Sequence, residues 1–117
     1  MQLDHVALTV ADRERSAAFY AEHFGLGDRI HDDPHLLILG HHGGGGLLAL
    51  SGGEVPALPR TNHFGFRLGD PAAVRGARER FQDAGVPEAE WQDDGGMVRV
   101  QVLDPDGYRV DVYAYIS

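Results

Sequence analysis

The chain has 117 residues, enough for one domain with a substantial core, and its 43% apolar content is ordinary for a globular protein. It contains no cysteine and no lysine, which excludes disulfides, thiolate chemistry and lysine Schiff bases. Its net charge of −8 without a basic stripe argues against nucleic-acid or anionic-membrane partners, and the lack of a membrane-length apolar run or secretory signal predicts a cytoplasmic protein.

The chain contains two copies of one pattern. LDHVALTVAD (3–12) aligns with TNHFGFRLGD (61–70) at an offset of 58 residues, which places His5 on His63 and Asp12 on Asp70. Both stretches alternate in polarity as a half-buried strand does, and each ends in an Asp that is a favourable helix N-cap. The repeat therefore predicts that each half begins with a strand followed by a helix.

In the first half, a helix is predicted from Asp12 to Phe24, with Gly25 ending it. Three strand-like runs follow, at about 27–32, 35–40 and 46–51. The segment 53–60 is rich in Gly and Pro, which is typical of a linker.

The second half repeats this order. Asp70 caps a predicted helix with Pro71 at its first position, and strands are predicted at about 88–92, 97–103 and 108–116. We therefore expect an α+β fold of two βαβββ modules with the helices outside; if their mixed sheets curl, the face away from the helices lines a cup-shaped site. The expected domain organisation is a single domain formed by module 1–52, linker 53–60 and module 61–117.

The segment GHHGGGG (40–46) combines adjacent histidines with glycines, which are typical of metal and phosphate sites respectively. A phosphate-binding loop, however, directly precedes a helix, and this segment precedes the strand-like run LLALS. We therefore interpret the glycines as turn residues with positive φ, and His41 and His42 as exposed turn residues.

Strand alternation selects a different set of residues. In the two strands that begin the modules and in the last strand, it places His5, His63 and Asp111 on the face away from the helices. Two imidazoles and a carboxylate suit Fe²⁺, Mn²⁺, Zn²⁺ or Ni²⁺. The alternative is that these histidines are packing residues, which is the more common role of a histidine on a sheet face. Their repetition at one offset does not exclude this alternative, because duplication alone copies a packing residue.

The sequence resembles the vicinal oxygen chelate superfamily, which includes glyoxalase I, extradiol dioxygenases, fosfomycin-resistance enzymes and bleomycin-resistance proteins. The resemblance rests on LDHVALTVADRERSAAFYAEHFGL, NHFGFRLGD and DPDGYRVDVY, and it covers essentially the whole chain. It implies that His5, His63 and Asp111 occupy metal-ligand positions. The last position usually carries Glu, and the Asp found here is about 1.5 Å shorter.

The resemblance also implies limits and partners. A fourth ligand position falls on Ala49, which argues against glyoxalase I itself. Small members pair as homodimers and share sites between chains, so His5 of one chain is expected to meet His63 and Asp111 of another.

Three functions remain open at this stage. The first is a divalent-metal-dependent lyase or dioxygenase that chelates neighbouring oxygens of a small substrate. The second is metal-free sequestration of an antibiotic, as in bleomycin-resistance proteins, and the third is a fosfomycin-type thiol transferase. Arg67 and Tyr113 are candidate catalytic residues. The candidate substrate-binding residues are Thr9, Arg67, Arg99, Gln101, Arg109, Tyr113 and Tyr115.

Overall fold

A computed structural model describes residues 1–116, which divide into two compact units, Met1–Ala57 and the part that begins at Leu58. The boundary falls within the predicted linker. Each unit contains one helix and a four-stranded mixed sheet, in the predicted order βαβββ. This confirms the α+β class and the two modules.

Unit 1 forms a sheet of strand order β1-β4-β3-β2, in which β1 runs parallel to β4 and the other pairs are antiparallel. The core of the unit contains Tyr20 of the helix and apolar residues of the central strands, such as Leu48 and Leu50. Its elements are β1 (His5–Val10), α1 (Arg13–Phe24), β2 (Asp28–Asp32), β3 (Leu37–Gly40) and β4 (Leu47–Gly52).

Unit 2 repeats this topology with strand order β5-β8-β7-β6, in which β5 runs parallel to β8. Val74, Ala77 and Phe81 form the buried stripe of its helix, as the sequence predicts, and the central strands contribute buried valines. Its elements are β5 (His63–Arg67), α2 (Pro71–Asp83), β6 (Glu88–Asp93), β7 (Met97–Leu103) and β8 (Arg109–Tyr115).

Both helices begin at the predicted caps. Asp12 accepts a hydrogen bond from the Arg15 backbone amide (3.1 Å), and Asp70 accepts one from the Ala72 amide (2.9 Å). The first helix ends at Gly25, whose φ of +73° is the left-handed conformation that favours glycine. Neither helix is long and apolar enough to span a membrane within the described residues.

The main boundary difference is the start of β3, which begins at Leu37 instead of residue 35. The Asp33 carboxylate accepts hydrogen bonds from the backbone amides of His35 and Leu36 at 2.7 and 2.9 Å, so these residues form a turn. The other predicted strands differ from the observed ones by at most one residue at an end.

The glycine-rich segment connects β3 and β4, as predicted. Three of its glycines have φ between +94° and +111°, the region in which a side chain is strained. His42 is exposed, whereas His41 is half-buried because its ring lies against Gly25. The expectation of an exposed His41 was therefore wrong.

Candidate active site in unit 2

A cavity of about 610 Å³ lies in unit 2, over the sheet face predicted to carry the chemistry. Six of the candidate residues line it: His63, Arg99, Gln101, Asp111, Tyr113 and Tyr115. The lining also includes Arg60, Thr61, Phe64, Gly65, Glu90 and Met97. Strand alternation and the structure thus agree in bringing these six side chains of unit 2 to one cavity.

Asp111 lies at the centre of this face and is only 6% exposed. Its Oδ1 accepts hydrogen bonds from Gln101 Nε2 at 2.9 Å and from Arg99 Nη1 at 3.2 Å. Its other oxygen, Oδ2, faces His63 Nε2 at 3.5 Å. The carboxylate is thus anchored through one oxygen and presents the second to the cavity.

The neighbours of the His63 ring fix the tautomer of its neutral form. Its Nδ1 lies 2.9 Å from the Thr61 carbonyl oxygen, which can only accept, so Nδ1 carries the hydrogen. In the neutral ring, Nε2 is therefore an acceptor that faces another acceptor, Asp111 Oδ2. A cation between the two atoms would remove this conflict.

The spacing of the two atoms fits a shared metal ion. Two ligand atoms about 2.1 Å from one ion, in a tetrahedral arrangement, are about 3.4 Å apart. The observed Nε2–Oδ2 separation is 3.5 Å. Within residues 1–116, however, no group of three or more His, Asp or Glu side chains is arranged to hold a metal. Unit 2 by itself supplies a pair of candidate ligands.

His5 belongs to unit 1, at the start of β1, and its side chain is 66% exposed. Its Nδ1 lies 2.7 Å from Asp4 Oδ1, and this contact leaves Nε2 directed elsewhere. Metal-binding histidines commonly donate their other ring N–H to a carboxylate or carbonyl. Both His5 and His63 have this arrangement. Thr9 also lies in unit 1, on β1.

Arg99 is held from three sides. Besides its bond to Asp111, its Nε donates to Gln92 Oε1 (3.2 Å), and its Nη2 lies 3.6 Å from Glu90 Oε1. The Gln92 amide in turn donates to Asp94 (2.5 Å), which is the main reason why the pKa of Asp94 is below its usual value. Arg99 therefore neutralises carboxylates of the site.

The remaining polar candidates lie at the edges of the site. The Arg67 guanidinium lies 4.8 Å from the centre of the Tyr115 ring, a cation–π arrangement, and Tyr113 packs edge-on against Tyr115 at 5.7 Å. Arg109 Nη1 donates to Gln101 Oε1 at 3.1 Å. Neither Arg67 nor Arg109 is among the residues that line the cavity.

Glu90 is a site residue that sequence reasoning missed. Simple alternation puts Glu88 and Glu90 on one face, but the register of β6 shifts between them. Glu88 consequently pairs with Arg78 of the helix at 2.7 Å, and Glu90 faces Arg99. Arg60 and Thr61 were missed because they precede β5, in a segment assigned to the linker and strand start.

The sequence of residues 2–112 matches the model of the Glyoxalase/Bleomycin resistance protein/Dioxygenase superfamily. The chain belongs to this superfamily. The match confirms the resemblance that the sequence motifs indicated. No match was found among curated proteins.

Several solved structures have a fold similar to that of this chain. Lactoylglutathione lyase from Agrobacterium tumefaciens is 24% identical, with a TM-score of 0.77 over 97% of this chain and 92% of that one. A possible glyoxalase from Bacillus cereus is also 24% identical, with a TM-score of 0.80 over 96% and 97%. The fosfomycin resistance protein FosX from Listeria monocytogenes, complexed with Mn(II) and sulfate, is 20% identical, with a TM-score of 0.81 over 97% and 89%.

Proposed function

We propose that this protein is a divalent-metal-dependent enzyme of the lyase or dioxygenase type that chelates neighbouring oxygens of a small substrate. The observation that carries the proposal is the approach of His63 Nε2 to Asp111 Oδ2, whose separation of 3.5 Å suits two ligands of one ion. The fold-related FosX forms a complex with Mn(II), which supports a divalent metal in this protein. Bound there, the ion would act as a Lewis acid toward a substrate oxygen.

His5 is the proposed third ligand, so His5, His63 and Asp111 form the metal set. Two imidazoles and one carboxylate suit Fe²⁺, Mn²⁺, Zn²⁺ or Ni²⁺ and leave coordination positions for a substrate. We further propose a homodimer in which His5 of one chain completes the site of the other. The exposure of His5 and the supported orientation of its ring are compatible with that role.

The cavity residues have separate proposed roles. Tyr113 and Tyr115 line the cavity. The Tyr113 hydroxyl would donate or accept a proton, and Tyr115 would pack against a planar group of the substrate. Arg67, beside Tyr115, would bind an anionic part of the substrate at the edge of the site. Thr9 would add a hydroxyl from β1. Arg99 would act through Asp111.

A second candidate function is metal-free binding of a small molecule. The specific observation in its favour is that Arg99 already neutralises Asp111, with an Nη1–Oδ1 distance of 3.2 Å. In that case the His63–Asp111 contact would be an ion pair with protonated His63, and the aromatic wall would bind the ligand directly.

Metal analysis distinguishes the two functions. We expect purified protein to contain bound metal, and we expect His63→Ala and Asp111→Asn to lose most of it. His42→Ala is the matched control, because His42 is exposed in the glycine-rich turn, and its metal content should equal that of the wild type. Equal metal content in all four proteins would contradict the enzyme proposal and favour metal-free binding.

Mixed dimers test whether chains share the site. In a dimer of one His5→Ala chain and one His63→Ala chain, a shared arrangement leaves one of the two sites with both histidines. We therefore expect about half of the wild-type metal in isolated heterodimers and little in either homodimer. Equally low content in the heterodimer would show that each site uses one chain only.

A further inference from the structure

The buried amide of Gln101 connects two charged side chains of the sheet in unit 2. Gln101 is 2% exposed, its Nε2 donates to Asp111 Oδ1 at 2.9 Å, and its Oε1 accepts from Arg109 Nη1 at 3.1 Å. Arginine can only donate and an ionised carboxylate can only accept. The two neighbours therefore permit one orientation of the amide and oppose the flipped one.

The equivalent positions of unit 1 show which residues the sheet carries where the carboxylate is absent. Cross-strand pairing matches Gln101 to Asp111 in unit 2 and Ile38 to Ala49 in unit 1. The parallel pairs likewise match His63 to Arg109, and His5 to Leu47. In unit 1 the histidine is therefore present, while the three positions equivalent to Gln101, Arg109 and Asp111 are all apolar.

We infer that Gln101 is a positioning residue for Asp111, and that Arg109 holds the Gln101 amide in the required orientation. Gln101 and Arg109 together fix Asp111 Oδ1, so that Oδ2 is directed to His63. Oδ2 would then also face the metal ion, a consequence that rests on the proposed function. Such support matters for an Asp, whose carboxylate reaches less far than that of Glu. Gln101 is neutral, so it orients the carboxylate without repelling a bound cation. The positive charge of Arg99, which also bonds Oδ1, would repel one.

Side-chain amide NMR on metal-free protein tests the orientation directly. In the wild type we expect the Gln101 Nε2 protons to exchange slowly with solvent, because they are buried and bonded. Arg109→Met should accelerate this exchange at least about tenfold, since the amide is then free to rotate, and Arg109→Lys should restore slow exchange. Unchanged exchange in Arg109→Met would overturn the inference, whatever the metal content.

Titration with Mn(II) alone, read by electron paramagnetic resonance, tests the consequence for the ion. We expect Kd to rise about 10–100-fold in Gln101→Met and Arg109→Met, and less than about threefold in Arg109→Lys. Gln82→Leu, an exposed change on α2, is the control and should leave Kd unchanged.

The two measurements separate the possible failures. Wild-type Kd in both Met variants would overturn the positioning role. If the wild type binds no Mn(II) and the purified protein contains no Fe, Mn, Zn or Ni, the proposed function is contradicted. The expected NMR result would still support the orientation of Asp111 by Gln101.

Discussion

Replacement of Gly65 by Ala tests how closely Asp111 is held by its neighbouring strand. Gly65 is paired with Asp111 in the parallel β5–β8 ladder, and a Cβ at position 65 would lie 2.8 Å from Asp111 Cβ and 3.3 Å from its carbonyl oxygen. These neighbours are backbone or next to it, so they cannot move aside as the end of a flexible chain does. One strand must shift by about 0.6 Å to reach ordinary contact.

The expected energetic effect follows from two opposing contributions. Overpacking of this kind costs about 1–3 kcal/mol, and removal of a flexible glycine from a strand returns about 0.5–1 kcal/mol. We therefore expect Gly65→Ala to lower the free energy of unfolding by about 1–2 kcal/mol. For a chain of this size, the corresponding fall in Tm is about 4–8 °C. The shift of Asp111 should also weaken Mn(II) binding at least about tenfold.

Thermal unfolding by circular dichroism and Mn(II) titration measure these two effects. Gly69→Ala is the matched control, because Gly69 lies just after the same strand, has no left-handed φ, and leaves open space for a methyl group, with nothing within 4 Å of it. Its Tm should stay within about 2 °C of the wild type. A Gly65→Ala protein as stable as this control, with wild-type Mn(II) affinity, would refute the idea that Gly65 makes room for Asp111.

Three further predictions concern other parts of the chain. The pKa of Asp33 is lowered to about 2, chiefly by the hydrogen bond from His31. The stabilisation from the Asp33 carboxylate is therefore complete above about pH 4 and is lost as the pH falls through about 2. His31→Ala should raise the pKa of Asp33 in an NMR titration, and an unchanged pKa would contradict the role of His31. Asp70→Ala should lower stability by about 1 kcal/mol in chemical denaturation, because α2 loses its N-cap. Ala49→Asp should cost about 1–3 kcal/mol in the same assay, because the new carboxylate enters a buried position without the Gln and Arg partners of Asp111; a neutral effect would show that this face of unit 1 tolerates charge.

The repeat in the sequence was sufficient to predict the order of helices and strands in each unit, because its signals are local. Helix caps at Asp12 and Asp70 and glycine turns act within a few residues of themselves, and strand alternation directly reports which face is buried. The start of β3 was misplaced because the carboxylate of Asp33 binds two backbone amides that would otherwise extend the strand.

The site was predictable only as far as alternation holds. It placed His63 and Asp111 on one face, but the irregular register of β6 brought in Glu90, which no periodic pattern signals. Alternation also says nothing about which polar groups bind one another. Gln101 was therefore predicted as a substrate contact, whereas its amide is occupied by Arg109 and Asp111, for which we propose a supporting role.

The two sheets have the same strand pairing but differ in the side chains at equivalent positions. Both pair the first and last strands in parallel at the same register, with a histidine at the first position of each pairing. At the position of Asp111 the first sheet has Ala49, and Ala7 stands where the second has Gly65, opposite the carboxylate. In the second sheet the carboxylate is accompanied by a glycine on the neighbouring strand and by hydrogen-bond donors across the sheet, and a buried carboxylate needs such donors. The two histidines are exposed side chains, and each has an acceptor nearby. Their positions do not depend on the donors that Asp111 needs, which is consistent with both sheets carrying the histidine and only the second carrying the acidic group.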